Sequence, residues 1–541
     1  MASRPGAGGA HSLYATRRAT RGMVSSVDHL ASEAGVHVLR CGGNAVDAAV
    51  AASAVLAVTA PHFCGMGGDL FALVSTSGDD RPAALNASGR AGSGADPERL
   101  RREGHALMPF SGDLRSAPVP GCVDGWLALH TRFGAMGLAG VMEPAISYAR
   151  DGFCASPFLA WAASMLGGVE NCADLSAEPV RSGQIVRRPG VARALEHIVG
   201  EGRDGFYAGE FAESLLSMGA GEYEPVDFER PLADWVDPIV ARVWDHDVWT
   251  VPPNSQGYLT LLGSMIAEGL ALPEDPDDAL WAHLLVESAR AAAFDRPSVL
   301  HEAADVTWML QPSEVSRRRS LVHEDRRGVL VPPGAAGDTM YLCAVDSAGT
   351  GVSLIQSNAS GFGCLVFEPS TGIGLHNRGI GFSLTPGHPA EYGPGRRPPH
   401  TLAPLLVTRP GGGLRAVLGT MGGDAQPQIL LQILVRWLRH AQSPARSIAS
   451  GRFRLSGSAR SGFDTWNDPD GTTVEVEAAG SGSWPEGLAA RGHKVKVVEG
   501  LSDAFGHAHL IEVSRDPRDG VGKLLGGACD PRALVGSVAA Y

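Results

Sequence analysis

Gly337-Asp338-Thr339-Met340-Tyr341-Leu342-Cys343-Ala344-Val345-Asp346 carries a polar loop into an apolar run of strand type, with Thr339 at the junction. A threonine hydroxyl is a poor nucleophile without a base. If the bond between Asp338 and Thr339 were cut, Thr339 would present a hydroxyl and, on the same residue, a free α-amine. With an ordinary pKa of about 7.7–8.0, that amine can act as the base at neutral pH. Self-cleavage would proceed by attack of Thr339 on the carbonyl of Asp338 and hydrolysis of the ester. The same stretch also suits a plain strand that starts with threonine after a Gly-Asp turn, so the surrounding chain decides.

Residues 302–337, just upstream, are polar and basic, with Arg317-Arg318-Arg319, Arg326-Arg327 and Pro332-Pro333-Gly334. That composition predicts an exposed linker where a cleavable loop would have to lie. Downstream, the apolar runs 340–345 and 351–357 flank Asp346-Ser347-Ala348-Gly349 and predict a hairpin. Further strands are expected at 402–407, 416–418, 474–478, 494–498 and 509–513. Between them, Gly419-Thr420-Met421-Gly422-Gly423-Asp424 leads into an apolar helix over 429–437. Two glycines before a helix can turn amide N–H groups toward a developing negative oxygen.

The half before Thr339 is mainly helical in pattern. A mobile tail precedes a helix over 28–40. Gly42-Gly43 ends that helix, and Asn44 caps an alanine-rich one over 45–58. Cys64-Gly65-Met66-Gly67-Gly68-Asp69 runs into a strand at 70–74, the reverse of the order a dinucleotide loop requires. A short strand at 83–87 delivers Ser88-Gly89-Arg90. Helices are expected over 123–133, 139–150, 192–199, 211–218 and 280–294. A strand at 248–251 ends in Pro252-Pro253-Asn254-Ser255-Gln256-Gly257, and a helix starts at Tyr258.

The composition removes several function classes. With 58 acidic and 45 basic residues the 541-residue chain carries a formal charge of −13, and it has no long basic run, which argues against nucleic acid as a partner. Eight cysteines lie at least 18 residues apart with no C-x-x-C, so zinc and dithiol redox motifs are absent, and buried thiols are expected. The N-terminal stretch has arginines but no apolar core of a secretory signal, and 45–60 is too short to span a bilayer, so the cytoplasm is the expected compartment. Neither a G-x-S-x-G elbow nor H-E-x-x-H occurs. No metal or cofactor is expected.

Several separated motifs, in order, resemble the γ-glutamyltranspeptidases and their N-terminal nucleophile relatives. They are AGVHVLRCGGNAVDAAVAA at 34–52, CGMGGDLF at 64–71, PVPGCVDGW at 118–126, GDT at 337–339, NRGIGFS at 377–383, GRRPPHTLAP at 395–404 and GTMGGD at 419–424. The resemblance implies an α/β fold, a four-layer α/β/β/α sandwich of the N-terminal nucleophile hydrolase type. It also implies a precursor cut between Asp338 and Thr339 into a large segment, 1–338, and a small one, 339–541, which would stay together, with a homodimer also conceivable. By resemblance, Thr339 is the nucleophile, Gly422 and Gly423 form the oxyanion hole, and Asn358 faces the nucleophile. Arg90 would grip a substrate carboxylate with its planar fork, and Asn377, Arg378, His400 and Thr401 would line the substrate site.

The departures from the family pattern lie around that substrate site. Where γ-glutamyl enzymes carry a glutamine and then an acid for the substrate's α-ammonium group, this chain reads Asn377-Arg378-Gly379-Ile380-Gly381. A pair of serines is replaced by His400-Thr401. The threonine that supports the nucleophile appears as Gln356 or Ser357, depending on alignment. Losing a carboxylate that pairs with an ammonium weakens γ-glutamyl recognition, and Arg378 favours an anionic partner. The expectation is a self-processing threonine hydrolase or acyltransferase that takes a small carboxylate-bearing amide or acyl substrate through an acyl-enzyme. Three alternatives stay open: a C–C bond hydrolase releasing an oxalyl-type fragment in actinobacterial antibiotic biosynthesis, a genuine γ-glutamyl transferase or glutathione hydrolase, and an inactive, unprocessed binding protein.

Overall fold

The computed structural model describes residues 15–328, 330, 340–457, 465, 466, 468, 470–515 and 522–541. The cleavage site read from sequence, Asp338 and Thr339, lies outside the described residues.

Strand Met340–Val345 shows how the layers arise. Successive side chains of a strand point to opposite faces, and every residue of this strand is buried. Met340, Leu342 and Ala344 enter a core beneath helices, whereas Tyr341, Cys343 and Val345 enter a second core shared with another sheet. Apolar residues on both faces therefore place the strand in the middle of a stack.

The first sheet runs Ser537–Ala540, Met23–Ser26, Met340–Val345, Gly351–Ser357, Asp69–Ser75, Ala83–Ala87 and Asp234–Val236 in spatial order. The second runs Arg17–Ala19, Lys523–Cys529, Ala508–Arg515, Leu414–Thr420, Leu405–Thr408, His246–Thr250 and Ile239–Val243. All neighbouring pairs in both sheets are antiparallel. Between the sheets lie Phe71, Leu73, Trp249, Tyr341, Ile355, Leu406, Val417 and Ile511.

Helix His29–Arg40, capped by the Asp28 carboxylate, and helix Ala45–Thr59 cover the outer face of the first sheet. Every residue of the second helix is buried, and its alanines let it lie close to the strands. Asn44 and Asp47 form a reciprocal capping box at its start. The Asp346 carboxylate, at the hairpin turn, accepts from Gly349 N, Thr350 N and Ala45 N at 2.9, 2.9 and 3.0 Å, tying the hairpin to that helix. On the outer face of the second sheet pack Tyr258–Glu268 and Gln426–Leu434, with Ala279–Ala293 behind them. The result is the four-layer α/β/β/α sandwich expected from the motifs.

Two expectations need correction. The described part of the supposed exposed linker is folded: Pro312–Arg319 is a helix, Met309 and Val315 join a core, and Arg318 is fully buried on Asp295 and Glu314. The arginine-rich composition reflects internal ion pairs on a helix rather than solvation. The supposed mobile tail before Asp28 contributes edge strand Arg17–Ala19 and the wholly buried Met23–Ser26, strands too short to show a period in sequence. All eight cysteines are free thiols, five of them buried. No helix among the described residues is long and apolar enough to cross a membrane.

Candidate active site

Both sheets end at the same edge of the sandwich. In the first sheet Met340 stands opposite Gln356, and Ser357 opposite Asp69. In the second, Leu405 stands opposite both Thr250 and Leu418, and Thr420 opposite Ala508. The residues that leave these strand ends, Asn358, Ser88-Gly89-Arg90, Asn254-Ser255-Gln256, His400-Thr401 and Met421-Gly422-Gly423, therefore meet in one place.

Strand alternation settles the ambiguity between Gln356 and Ser357. The Gln356 amide points to the helix side, where Oε1 accepts from Ser53 Oγ at 2.5 Å and Nε2 donates to Ser53 O at 3.0 Å. Ser357, on the opposite face, takes a bond from Arg378 Nη2 at 3.0 Å. Arg378 Nη1 donates to Thr401 Oγ1 at 3.0 Å, so this arginine, 1% exposed, bridges the two sheet ends from inside the protein.

Asp69, His376 and His400 form a fully buried group beside it. Asp69 Oδ1 accepts from Gly89 N at 2.7 Å, and Oδ2 accepts from His400 Nε2 at 2.8 Å. His376 Nδ1 stands 3.4 Å from the same oxygen, within ion-pair range but not aligned as a hydrogen bond. Burial alone would raise the Asp69 carboxyl; the two imidazoles outweigh it and hold the group below the ordinary carboxylate range, ionised. His400 is pushed down to about 3 by burial and then by the Arg378 charge, so it is neutral and donates to Asp69. Replacing Asp69 by asparagine removes a buried ionised acceptor and leaves its donors poorly matched. It should cost about 2 kcal/mol, seen as a lower urea midpoint at unchanged slope; an unshifted midpoint would refute this.

The glycines of Cys64–Asp69 serve packing around Asn358. A Cβ on Gly68 would stand 2.4 Å from Ser357 O and 2.8 Å from Asn358 Oδ1. Asn358 Nδ2 donates to Pro61 O at 3.0 Å, and its Oδ1, in a side chain 2% exposed, has no partner among the described residues. Across the gap, Gly422 and Gly423 have φ of 135° and 56°, values that favour glycine, and Gly423 opens the turn that enters Gln426–Leu434. Gln256 Nε2 donates to Gly423 O at 2.9 Å and to Thr401 O at 3.0 Å, clamping this turn.

Two expected substrate contacts are engaged within the chain. Arg90 Nη1 meets Glu302 Oε1 at 2.5 Å and Gly395 O at 3.0 Å, and Nη2 stands 3.4 Å from Asp234 Oδ2. Asn377 Nδ2 donates to Phe110 O and Ser360 Oγ, and its Oδ1 accepts from Ser360 N. His400 is packed edge-on against Phe71 and is wholly buried. Sequence reasoning passed over Gln256 and Asp69. Both were visible only as members of the PPNSQG and CGMGGD runs, whose partners lie far away in sequence.

Residues 31–540 match the gamma-glutamyltranspeptidase family, and the chain belongs to it. It is thereby an enzyme of the self-processing N-terminal nucleophile hydrolase class. It is 33% identical to the glutathione hydrolase-like YwrD proenzyme of Bacillus subtilis (strain 168), over 95% of this chain and 97% of that one. It is 32% identical to the oxamate amidohydrolase proenzyme of Klebsiella pneumoniae subsp. pneumoniae, over 98% and 100%. The crystal structure of cephalosporin acylase from Bacillus halodurans superposes with a TM-score of 0.88 at 30% identity, covering 100% of this chain and 99% of that one.

Proposed function

We propose that the chain is cut between Asp338 and Thr339 into segments 1–338 and 339–541, and that Thr339 then hydrolyses a small amide or acyl substrate bearing a carboxylate. The observation that carries this reading is the register of the hairpin. Its first strand begins at Met340 opposite Gln356, and the facing strand ends in Ser357, whose hydroxyl accepts from Arg378 at the same sheet end. In this reading the freed α-amine takes the proton of the Thr339 hydroxyl as Oγ attacks the carbonyl, then passes it to the leaving group. Gly422 and Gly423 amides face the oxyanion, and Asn358 Oδ1, which has no partner among the described residues, accepts a bond from the nucleophilic residue. Water resolves the acyl-enzyme and releases the acid.

The substrate class follows from the charges at the site. No acid occurs within 377–381 to hold an α-ammonium group, and a buried arginine occupies that stretch. Arg378 supplies positive charge at the sheet ends, and Arg90 is already paired with Glu302, which marks where a guest carboxylate would dock by exchange. The relatives divide, 33% identity to a glutathione hydrolase-like proenzyme and 32% to an oxamate amidohydrolase proenzyme, and the charges at the site favour the small acid amide. Kinetics on the cleaved enzyme should show oxalyl or α-keto acyl donors favoured over γ-glutamyl anilides on the order of 10²-fold in kcat/KM, the scale of one lost buried charge pair. Fast γ-glutamyl transfer to dipeptides would overturn the assignment.

A further inference from the structure

The turn Met421-Gly422-Gly423 rests against the loop Phe505-Gly506-His507, which comes from far along the chain. Met421 N donates to His507 O at 3.4 Å. A Cβ on Gly506 would stand 2.4 Å from Met421 O and 2.5 Å from Thr420 Oγ1, and a Cβ on Gly422 would stand 3.8 Å from Gly506 Cα. Gly506 has a φ of 81°, a value that favours glycine. The two segments meet backbone to backbone, so a shift of the loop displaces the turn.

Four buried charges hold that loop. Arg452 Nη1 donates to Phe505 O at 2.7 Å and to Gly506 O at 3.2 Å, while Nη2 donates to Ile448 O at 2.7 Å and to Asp530 Oδ2 at 2.6 Å. Asp530 Oδ2 also accepts from Ala508 N, the first residue of the strand after the loop, at 2.8 Å. Arg532 Nη1 donates to Asp530 Oδ1 at 3.0 Å and Nε to Glu477 Oε1 at 2.7 Å. Glu477 Oε2 accepts from Arg452 N at 2.9 Å and closes the ring. All four side chains are buried, and their charges cancel.

Stability alone gives no reason for such a network. Withdrawing four charges from water is costly, and a packed apolar cluster of the same volume is often as stable. Apolar side chains cannot, however, fix the direction of a carbonyl. The planar guanidinium of Arg452 can, because its donors leave in set directions, and two of its bonds end on the carbonyls of the loop that touches Met421. An oxyanion donor must be aimed within hydrogen-bond reach of the oxygen it stabilises, and small misplacements at a reacting centre lower turnover steeply.

We propose that Arg452 and Asp530 are positioning residues for the oxyanion turn: they hold the 505–507 loop so that it sets the direction of the Gly422 and Gly423 amides. The inference rests on the hydrolase reading above, in which those amides face the oxyanion. Gln256 fixes Gly423 through its carbonyl, and the Arg452 network fixes the turn at Met421. Neither Arg452 nor Asp530 touches the substrate, so their effect falls on kcat and leaves KM in place.

The test is steady-state kinetics on whichever acyl anilide, oxalyl or γ-glutamyl, the wild type turns over, with rates counted per cleaved chain. Arg452→Lys keeps the charge but gives up the fork, and should lower kcat on the order of 10-fold with KM within about twofold. Gly506→Ala pushes directly on Met421 O and should lower kcat on the order of 10²-fold; it carries the test if the lysine variant fails to fold, as read by its melting midpoint. Arg318→Lys, which disturbs an equally buried arginine paired with Asp295 and Glu314, should lower the midpoint and leave kcat unchanged. A kcat within twofold of wild type in a folded Arg452→Lys or Gly506→Ala, an equal loss in Arg318→Lys, or a folded variant that stays wholly uncut would overturn the positioning role. A wild type that is cut yet turns over neither anilide nor oxamate would instead overturn the hydrolase reading, and this role with it.

Discussion

Thr339→Ala should yield a full-length chain with no measurable hydrolase activity. Alanine removes the hydroxyl that attacks the Asp338 carbonyl, so no ester forms and no α-amine is released. The same change removes the nucleophile of turnover, so two functions vanish together. Loss of an enzyme's nucleophile lowers turnover by roughly 10⁴-fold to 10⁶-fold, leaving only what binding and the oxyanion donors supply. Thr339→Ser keeps a hydroxyl and should cut, but more slowly. Denaturing electrophoresis and a hydrolysis assay on the three proteins decide the matter. An alanine variant that cuts normally would strip Thr339 of its role.

Acid should destabilise the protein well above the usual carboxylate range. His62, His400, His493 and His509 are pushed down to about 3, and His507 to about 4, by burial first and neighbouring groups second. Each is buried. The unfolded chain binds these protons near pH 6.5 and the folded chain does not, so stability is fully present above that pH and falls as pH drops toward the folded values. At pH 5 each group costs about 2 kcal/mol by this linkage, and five together approach the whole stability of an ordinary domain, roughly 5–15 kcal/mol. Asp28 and Asp124, raised by burial, oppose the trend. Asp69 and Asp530, held below the carboxylate range, extend it at lower pH. Thermal unfolding at pH 7, 6 and 5 should show a steep fall in midpoint. A midpoint flat down to pH 4.5 would contradict the neutral buried imidazoles.

The architecture was legible where pattern and punctuation agreed. The hairpin 340–357, the capped helices after Asp28 and Asn44, and the glycine turn at 422–423 all carry short-range signals that survive folding. The arginine-rich run before residue 328 was misread because composition cannot tell a solvated arginine from one such as Arg318, paired internally with residues 4 and 23 positions away. Edge strands Arg17–Ala19 and Ser537–Ala540 are too short to show a period and are fixed by distant partners. At the site, Arg378 and the glycine pair were readable because motifs carry them. The Asp69–His400 bond and the Gln256 clamp join residues 331 and 145 positions apart, and no local window contains them.

The central claim, cleavage between Asp338 and Thr339 to create the nucleophile, is tested most directly by the intact mass of the purified protein after prolonged incubation. Two species are expected, one ending at Asp338 and one beginning at Thr339, with masses that together exceed the precursor's by one water. A single stable chain of precursor mass, or a cut at any other bond, would contradict it.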